Sequence, residues 1–192
     1  MSTEINGQQT PGRPVSVLFV CLGNICRSPM AEGVFHHLAR HGTSQQHPLI
    51  AEIDSCGTGA YHAGDYSDSR TMSVLEGNGI TDYRHKARKV KVPEDFERFD
   101  YVLAMDEENM VDLRDYIKRA AKKGLLDAKE ASKKVHMYGE FGGKTEREEV
   151  VDPYYGGRDG FTIAYEQMTR FGKGLLEHIE QEAARQLGST AP

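Results

Sequence analysis

Hydrophobic and polar positions in the first half of the chain predict strands that alternate with helices. Residues 15–20 form an uninterrupted apolar run, which is typical of a buried strand. In residues 28–40 the apolar side chains recur at helical spacing, so a helix is predicted there. A second strand is predicted at residues 49–53, followed by a turn-rich segment at 54–59. A second helix is predicted at residues 69–76, where a Gly-Asn-Gly run ends the pattern.

The second half of the chain repeats this order. Residues 99–105 and 135–141 are predicted strands, and Asp106 is placed to cap the helix that begins between them. The apolar stripe of that helix consists of Met110, Leu113, Ile117 and Ala121. The last helix is predicted to begin near Asp159 and to bury Phe161, Ala164, Met168, Leu175 and Ile179. This alternation indicates a single α/β domain with a doubly wound parallel sheet, which binds ligands at the carboxyl ends of its strands.

Composition narrows the class of protein. The chain has 192 residues, enough for one domain with a buried core, and its net charge of −5 argues against a nucleic-acid-binding protein. Three cysteines are too few for a disulfide-stabilised scaffold. The apolar runs are too short to span a membrane or to form a signal peptide, so we expect a cytoplasmic protein with reduced thiols and no membrane partner. Residues 15–188 are the expected domain, with a flexible tail at 1–14 and a second tail at 189–192.

The most informative chemistry lies in the loop after the first strand, which reads CLGNICRSP from Cys21. Cys21 ends the strand, and Pro29 suits the first turn of a helix. Backbone N–H groups in such a loop point inward and bind anions, and the helix N-terminus adds positive potential. Cys21 is therefore expected to be a thiolate nucleophile, stabilised by the Ser28 hydroxyl. The alternative is that Cys21 is only a small buried residue at a strand end.

Arg27 completes the predicted phosphate site. Its planar guanidinium can bind two phosphate oxygens at once, and this contact is expected to matter most in the transition state. Gly23 and Asn24 suit the loop because both residue types tolerate a positive φ. A thiolate and a guanidinium on two sides of one anion-binding loop predict attack on phosphorus.

A leaving alkoxide or phenoxide needs a proton, and Asp152 is the candidate donor. As a general acid it would protonate the leaving oxygen, and as a base it would later activate water against a cysteinyl-phosphate. Pro153 stiffens its loop, although an Asp-Pro pair by itself is more often simply a turn. Tyr154 and Tyr155 are expected to line a pocket for a flat aromatic substrate, or else to cover the edge of the sheet.

Together the two motifs resemble those of the low-molecular-weight protein tyrosine phosphatases. The resemblance rests on residues 21–29 and on the run DPYYG from Asp152, and it extends from residue 15 to the C-terminal helix. It implies a Rossmann-like four-stranded parallel sheet flanked by helices, with no metal or other cofactor. It also implies hydrolysis of phosphotyrosine proteins and, as an acid phosphatase, of small aryl phosphates, with inorganic phosphate as product. By matched position, the nucleophile is Cys21, the phosphate clamp is Arg27 and the proton donor is Asp152. The implied phosphate cradle is the backbone of Leu22, Gly23, Asn24, Ile25 and Cys26.

The resemblance further implies residues that support the loop. Asn24 and Ser55 match a pair whose hydrogen bond holds the loop in shape, and the matching histidine, His85, is expected near Glu32 and Asp54. Cys26 matches a thiol that traps the oxidised nucleophile as a reversible disulfide; alternatively it is a small apolar filler. Residues 118–149 form a longer, lysine-rich stretch than is usual, which is either a solvated face or a docking surface for acidic partners.

Three other functions remain open from the sequence. An arsenate reductase of the same fold also uses such a cysteine, but it relays through later cysteines and none follows Cys56. A protein-arginine phosphatase is expected to carry a hydroxyl side chain where this loop has Ile25, whereas an apolar residue favours an aryl phosphate. A non-catalytic phosphotyrosine-binding module is the third alternative, although such a module needs no proton donor.

Overall fold

A computed structural model describes residues 12–154 and 159–188 of the chain. In the described ranges, four strands form one parallel sheet, in the order β2-β1-β3-β4. The strands are β1 (Val15–Cys21), β2 (Ile50–Gly57), β3 (Tyr101–Ala104) and β4 (Val135–Met137). The predicted fold class, a doubly wound parallel α/β sheet, is confirmed.

Helices cover both faces of the sheet. They are α1 (Arg27–Leu38), α2 (Ser69–Gly77), α3 (Glu94–Arg98), α4 (Glu107–Lys122), α5 (Ala128–Lys133) and α6 (Asp159–Gly188). The long helix α6 packs against α1 and α2. On the other face, α4 lies against β3, β4 and α5.

The central strand β1 divides the core into two parts. Successive side chains of a strand point to opposite faces, so Val17 and Phe19 belong to one apolar cluster and Leu18 and Val20 to the other. All four side chains are fully buried. The Phe19 ring meets Tyr138 edge to face, with ring centroids 5.0 Å apart. This packing makes β1 a rigid support for the loop that follows Cys21.

The third strand is shorter than predicted by two residues at its start and one at its end, and the predicted ends of the second and fourth strands are wrong by four residues each. The second strand continues to Gly57, because residues 54–57 keep pairing with β1 up to the Cys21–Gly57 pair. Pairing with a fully buried central strand therefore outweighs the turn-like composition of this segment. The fourth strand ends at Met137, since Tyr138 donates its N–H to the Ala104 carbonyl and the chain then turns. Two short helices, α3 and α5, were not predicted because neither is long enough to show a repeating apolar stripe.

The predicted tails lie mostly outside the described residues. Within the described part, Arg13 forms an ion pair with Asp100, just before β3. The domain limits at 15 and 188 and the flexibility of the first tail stay predictions. None of the helices in the described ranges combines the length and the apolar character needed to cross a membrane.

Candidate active site

The predicted phosphate loop lies at the carboxyl edge of the sheet, between β1 and α1. The Cys21 thiol is buried at its base. The backbone N–H of Asn24 donates to Sγ at 3.3 Å, and the Ser28 hydroxyl lies 3.1 Å from the same sulfur. The Asn24 N–H stabilises negative charge on the sulfur, and the Ser28 hydroxyl can do the same when its proton points to Sγ instead of to the Cys56 carbonyl at 3.3 Å.

Asn24 fixes the shape of this loop. Its φ is +56°, a left-handed conformation that asparagine tolerates better than most residues. Its amide nitrogen donates to Ser28 Oγ at 2.9 Å and to Ser55 Oγ at 2.8 Å. Its carbonyl oxygen accepts from the Arg88 backbone N–H at 2.8 Å and lies 2.9 Å from His85 Nε2. The Asn24 side chain is fully buried, so these bonds hold the strained residue in place.

Glu32 forms the outer part of the same network. One of its carboxylate oxygens accepts from Ser55 Oγ at 2.6 Å and from the Tyr83 hydroxyl at 2.9 Å, and it lies 3.2 Å from His85 Nδ1. Burial, together with the neighbouring Glu32 carboxylate, raises the pKa of Tyr83 well above its usual range, so this hydroxyl remains a donor. The structure thus brings together Asn24, Ser55, His85 and Glu32 behind the loop.

Glu32, Asp54 and His85 each offer one metal-ligating atom, and in the described part of the chain these atoms lie within 4.8 Å of one another. All three side chains already have protein partners. Asp54 accepts from the Arg88 guanidinium at 2.8 Å and from the Ser55 N–H at 2.7 Å. These bonds make the three side chains part of the network behind the loop.

Arg27 is held from two sides. It is buried at the start of α1 and forms an ion pair with Asp106. Its second terminal nitrogen, Nη2, lies 3.1 Å from Asp152 Oδ2. Burial alone would lower the pKa of Arg27, but the neighbouring Cys21 and Asp106 charges reverse this and raise it. The guanidinium is therefore a permanent cation beside the Cys21 sulfur.

Asp106 has a second function that the sequence prediction missed. Its Oδ1 caps α4 by accepting the Asn109 N–H at 2.8 Å, as expected, while Oδ2 binds Arg27. A signal was present in the sequence: Asp106 follows the predicted third strand directly, and carboxyl ends of parallel strands meet at one edge.

Asp152 faces the phosphate loop across a cavity of about 240 Å³. Its Oδ1 accepts the Tyr154 N–H at 3.0 Å, which leaves Oδ2 directed toward Arg27. Its side chain is 44% exposed, so water can reach the carboxylate. The cavity is lined by Cys21, Leu22, Gly23, Ile25, Cys26, Arg27, Tyr61, His62, Asp152 and Tyr154. A nucleophile, a cation and a carboxyl group thus share one small cavity, while Tyr155 lies outside the described residues.

Comparison with known proteins agrees with this geometry. The family model for low molecular weight phosphotyrosine protein phosphatase matches residues 16–185. The chain belongs to this phosphatase family. A Schizosaccharomyces pombe phosphatase of this name is 43% identical over 165 residues, which cover 86% of this chain and 97% of that protein.

Solved structures give the same result. A protein tyrosine phosphatase from Entamoeba histolytica has a TM-score of 0.73 and is 34% identical, over 88% of this chain and 98% of that chain. A Drosophila arginine phosphatase is also similar, with a TM-score of 0.69 and 32% identity over 84% of this chain and 96% of that chain. One of these similar structures is therefore named for a different substrate class.

The phosphatase loop is also held by the end of β2. The Thr58 N–H donates to the Cys21 carbonyl at 2.8 Å, and the Gly59 N–H donates to the Leu22 carbonyl at 2.9 Å. A Cβ at Gly57 would lie only 2.7 Å from that Leu22 oxygen, so only glycine fits there without a shift of the loop. These bonds satisfy the Cys21 and Leu22 carbonyls and tie the start of the loop to the chain that follows β2.

Tyr61 and His62 line the phosphatase cavity and were not predicted to do so. The Tyr61 side chain is 79% exposed, and the His62 ring lies against Gly23, where a Cβ would come within 3.1 Å of it. Both follow β2 in a segment without strong periodicity, so the sequence carries no signal for this position. Tyr61 and Tyr154 supply the exposed aromatic surface at the described mouth of the cavity.

Cys26 is buried in the same loop. Burial, and next the neighbouring Asp68 carboxylate, raise the pKa of Cys26 to about 12. Its thiol also hydrogen-bonds Asp68, which helps to lower the pKa of that carboxyl after the larger contribution of the Arg70 side chain. At neutral pH Cys26 is therefore a protonated thiol in the same loop as Cys21.

Proposed function

We propose that this chain hydrolyses phosphotyrosine in proteins, and small aryl phosphates, through a cysteinyl-phosphate intermediate and without a metal. One observation carries the proposal: Cys21, Arg27 and Asp152 face one cavity of about 240 Å³. The curated relatives named as phosphotyrosine protein phosphatases support the substrate class. A binding module would need the cation and the loop, but it would not need a carboxyl group placed opposite the thiol.

In the first step, Cys21 Sγ attacks phosphorus and the bond to the aryl oxygen breaks. The inward N–H groups of the loop and the Arg27 guanidinium bind the phosphoryl oxygens, and they stabilise the charge that develops there. Asp152 gives its proton to the leaving aryl oxygen, so that the product is a neutral phenol. Asp106 holds the guanidinium in place throughout, because it binds the opposite nitrogen.

In the second step, Asp152 accepts a proton from a water molecule that attacks the cysteinyl-phosphate. The sulfur leaves as a thiolate, stabilised by the Asn24 N–H and the Ser28 hydroxyl. Inorganic phosphate is the product, and Asp152 is protonated again for the next substrate. The half-exposed position of Asp152 supports this second role, because the attacking water must reach it.

The cavity wall supports an aryl substrate. Ile25 contributes an apolar side chain, and Tyr61 and Tyr154 stand at the mouth. Aromatic rings prefer offset or edge contacts with other aromatic rings, which a tyrosyl phosphate can make. Tyr155 stays a predicted part of this wall. The similarity to an arginine phosphatase makes phosphoarginine the substrate to test against it.

The deciding experiment is turnover of phosphotyrosine peptide in EDTA by wild type, Cys21→Ser and Asp152→Ala. We expect full activity in wild type, no turnover in Cys21→Ser, and a loss of roughly 10²–10⁴-fold in Asp152→Ala. A strict metal requirement, or activity in Cys21→Ser, would exclude the mechanism. Phosphoarginine and arsenate are assayed alongside. If either is turned over faster than the phosphotyrosine peptide, it replaces phosphotyrosine as the proposed substrate.

We also propose that Cys26 protects the nucleophile from irreversible oxidation. Oxidation of Cys21 by peroxide gives a sulfenic acid, which condenses with the Cys26 thiol to a disulfide and water. The protein would then work in a reducing compartment, for which we propose the cytoplasm. Treatment with peroxide and then dithiothreitol should restore wild type but not Cys26→Ser, and equal recovery of the two would contradict this role.

A further inference from the structure

Gln167 of α6 is a buried polar residue with a specific set of partners. Its Oε1 accepts the Val151 N–H at 3.0 Å, and its Nε2 donates to the Glu149 carbonyl at 3.0 Å. Nε2 also donates to Glu148 Oε1 at 2.9 Å. One side chain therefore binds three groups of the segment that leads directly to Asp152.

This segment is bound on its other side by the sheet. The Val150 N–H donates to the Met105 carbonyl at 2.8 Å, and the Val150 side chain is buried. Met105 immediately precedes Asp106, which binds Arg27. The backbone that leads to Asp152 is thus fixed between the end of β3 and the Gln167 amide. Gln167 accepts the Val151 N–H, which is the last backbone N–H before Asp152.

We propose that Gln167 is the positioning residue of the proton donor: it sets the height of Asp152 above the phosphate loop. This inference rests on the proposed function, since it assigns Asp152 the role of acid. The Asp152 side chain accepts the Tyr154 N–H and pairs with Arg27 at 3.1 Å, but neither contact fixes the backbone that precedes it at Val151. Proton transfer requires hydrogen-bond distance to the leaving oxygen, so a small backbone shift at Val151 removes the acid from reach.

Glu148 Oε1 also accepts from a second donor on α6, the Arg170 guanidinium. The Arg170 guanidinium binds it with an Nη2–Oε1 distance of 2.8 Å, and this contact lowers the pKa of Glu148 to about 2. Arg170 also donates to the Gly142 carbonyl at 2.7 Å. In the described part of the chain, the hydrogen bonds of Arg170 go to Gly142 and to the Glu148 side chain, and none goes to the backbone at residues 149–151. Arg170→Met is therefore a control for Gln167→Met on the same helix.

The experiment compares kcat/KM for two substrates that differ in their need for a proton. Phenyl phosphate releases phenol, whose pKa is about 10 like that of tyrosine, and it depends on the acid. 4-Nitrophenyl phosphate releases 4-nitrophenolate, a much weaker base than phenolate, and its hydrolysis therefore depends far less on the general acid. We expect Gln167→Met to lower kcat/KM for phenyl phosphate roughly tenfold more than for 4-nitrophenyl phosphate, part of the roughly 10²–10⁴-fold effect of a general acid. Asp152→Ala defines the full effect.

A paired substitution provides the rescue. In Gln167→Glu with Glu148→Gln, the bond to the Val151 N–H is kept, and the residue at 148 becomes the donor to the residue at 167. Because a glutamate cannot donate to the Glu149 carbonyl, we expect this double variant to recover only part of the phenyl phosphate activity that Gln167→Met loses. We expect Arg170→Met to lose stability without changing the ratio of the two substrates. Equal losses on both substrates in a folded Gln167→Met protein would overturn the inference. An inactive wild type would instead refute the proposed function.

Discussion

Asp106→Asn isolates the charge that holds Arg27. Asparagine is as good a helix N-cap as aspartate, so the substitution keeps the bond to the Asn109 N–H and removes only the carboxylate charge opposite the guanidinium. A hydrogen bond to a charged group contributes about 1.5–3 kcal/mol. The loss should remain below the roughly 3–5 kcal/mol of a fully unpaired buried charge, because Arg27 still has Asp152 at 3.1 Å.

Stability and activity should both register this change. For a chain of this size, each kcal/mol lowers Tm by about 2–4 °C, so we expect a decrease of roughly 3–12 °C by calorimetry. If the same free energy is lost in the transition state, kcat/KM for 4-nitrophenyl phosphate falls by about 10- to 150-fold. Asp106→Ala should lose about a further 1 kcal/mol of stability, because it also removes the cap.

Asp127→Asn is the matched control. Asp127 caps α5 by accepting the Glu130 N–H at 2.9 Å, the same bond that Asp106 makes to Asn109, but it has no contact with the phosphate loop. We expect it to retain wild-type Tm and kinetics. If Asp106→Asn behaves like Asp127→Asn in both measurements, the ion pair does not position Arg27, and the reasoning is refuted.

Three further predictions concern other parts of the molecule. Gly57→Ala should displace the Leu22 carbonyl and lower kcat/KM at least tenfold in a folded protein, an effect to be measured beside Tm. Iodoacetamide at neutral pH should label Cys21 before Cys26, whose pKa of about 12 keeps it a thiol; peptide mapping that finds Cys26 labelled first would contradict this. Burial lowers the pKa of His178, so the unfolded chain takes up that proton more readily, and stability should fall as the pH drops below about 6.5. His178→Gln should reduce this slope of Tm against pH.

The sequence predicts the phosphate loop well because its information is local. The apolar run of β1, the loop and the first turn of α1 are contiguous, so one motif contains the proposed nucleophile, the proposed backbone cradle and the proposed clamp. Asp152 was predicted to be the proton donor from chemistry, since a leaving oxygen needs a proton. The fold class follows from alternation of elements, which is a property of the whole chain.

The parts that the sequence did not predict depend on contacts between distant segments. The contact of Asp106 with Arg27 requires the register of β3 beside β1, in which Val20 pairs with Ala104. The contacts of Gln167 also join distant segments. In the sequence Gln167 cannot be told from a solvent-facing glutamine, because its partners at residues 148–151 are set by the fold. Pattern analysis describes which residues are buried, but not which backbone groups a buried amide will meet.

The loop between Gly139 and Glu148, at the end of the lysine-rich stretch, has a consequence for protein engineering. Gly139 and Glu148 pair across an antiparallel bridge, and the Gly143 N–H returns to the Gly139 carbonyl. The chain between Gly139 and Glu148 is therefore a loop whose two ends lie side by side, and its residues 144–147 are exposed. A peptide inserted between Thr145 and Glu146 would therefore leave from an exposed site, between two ends that the Gly139–Glu148 bridge holds together. The loop is a natural attachment point for a fluorescent reporter or an affinity tag on the working enzyme.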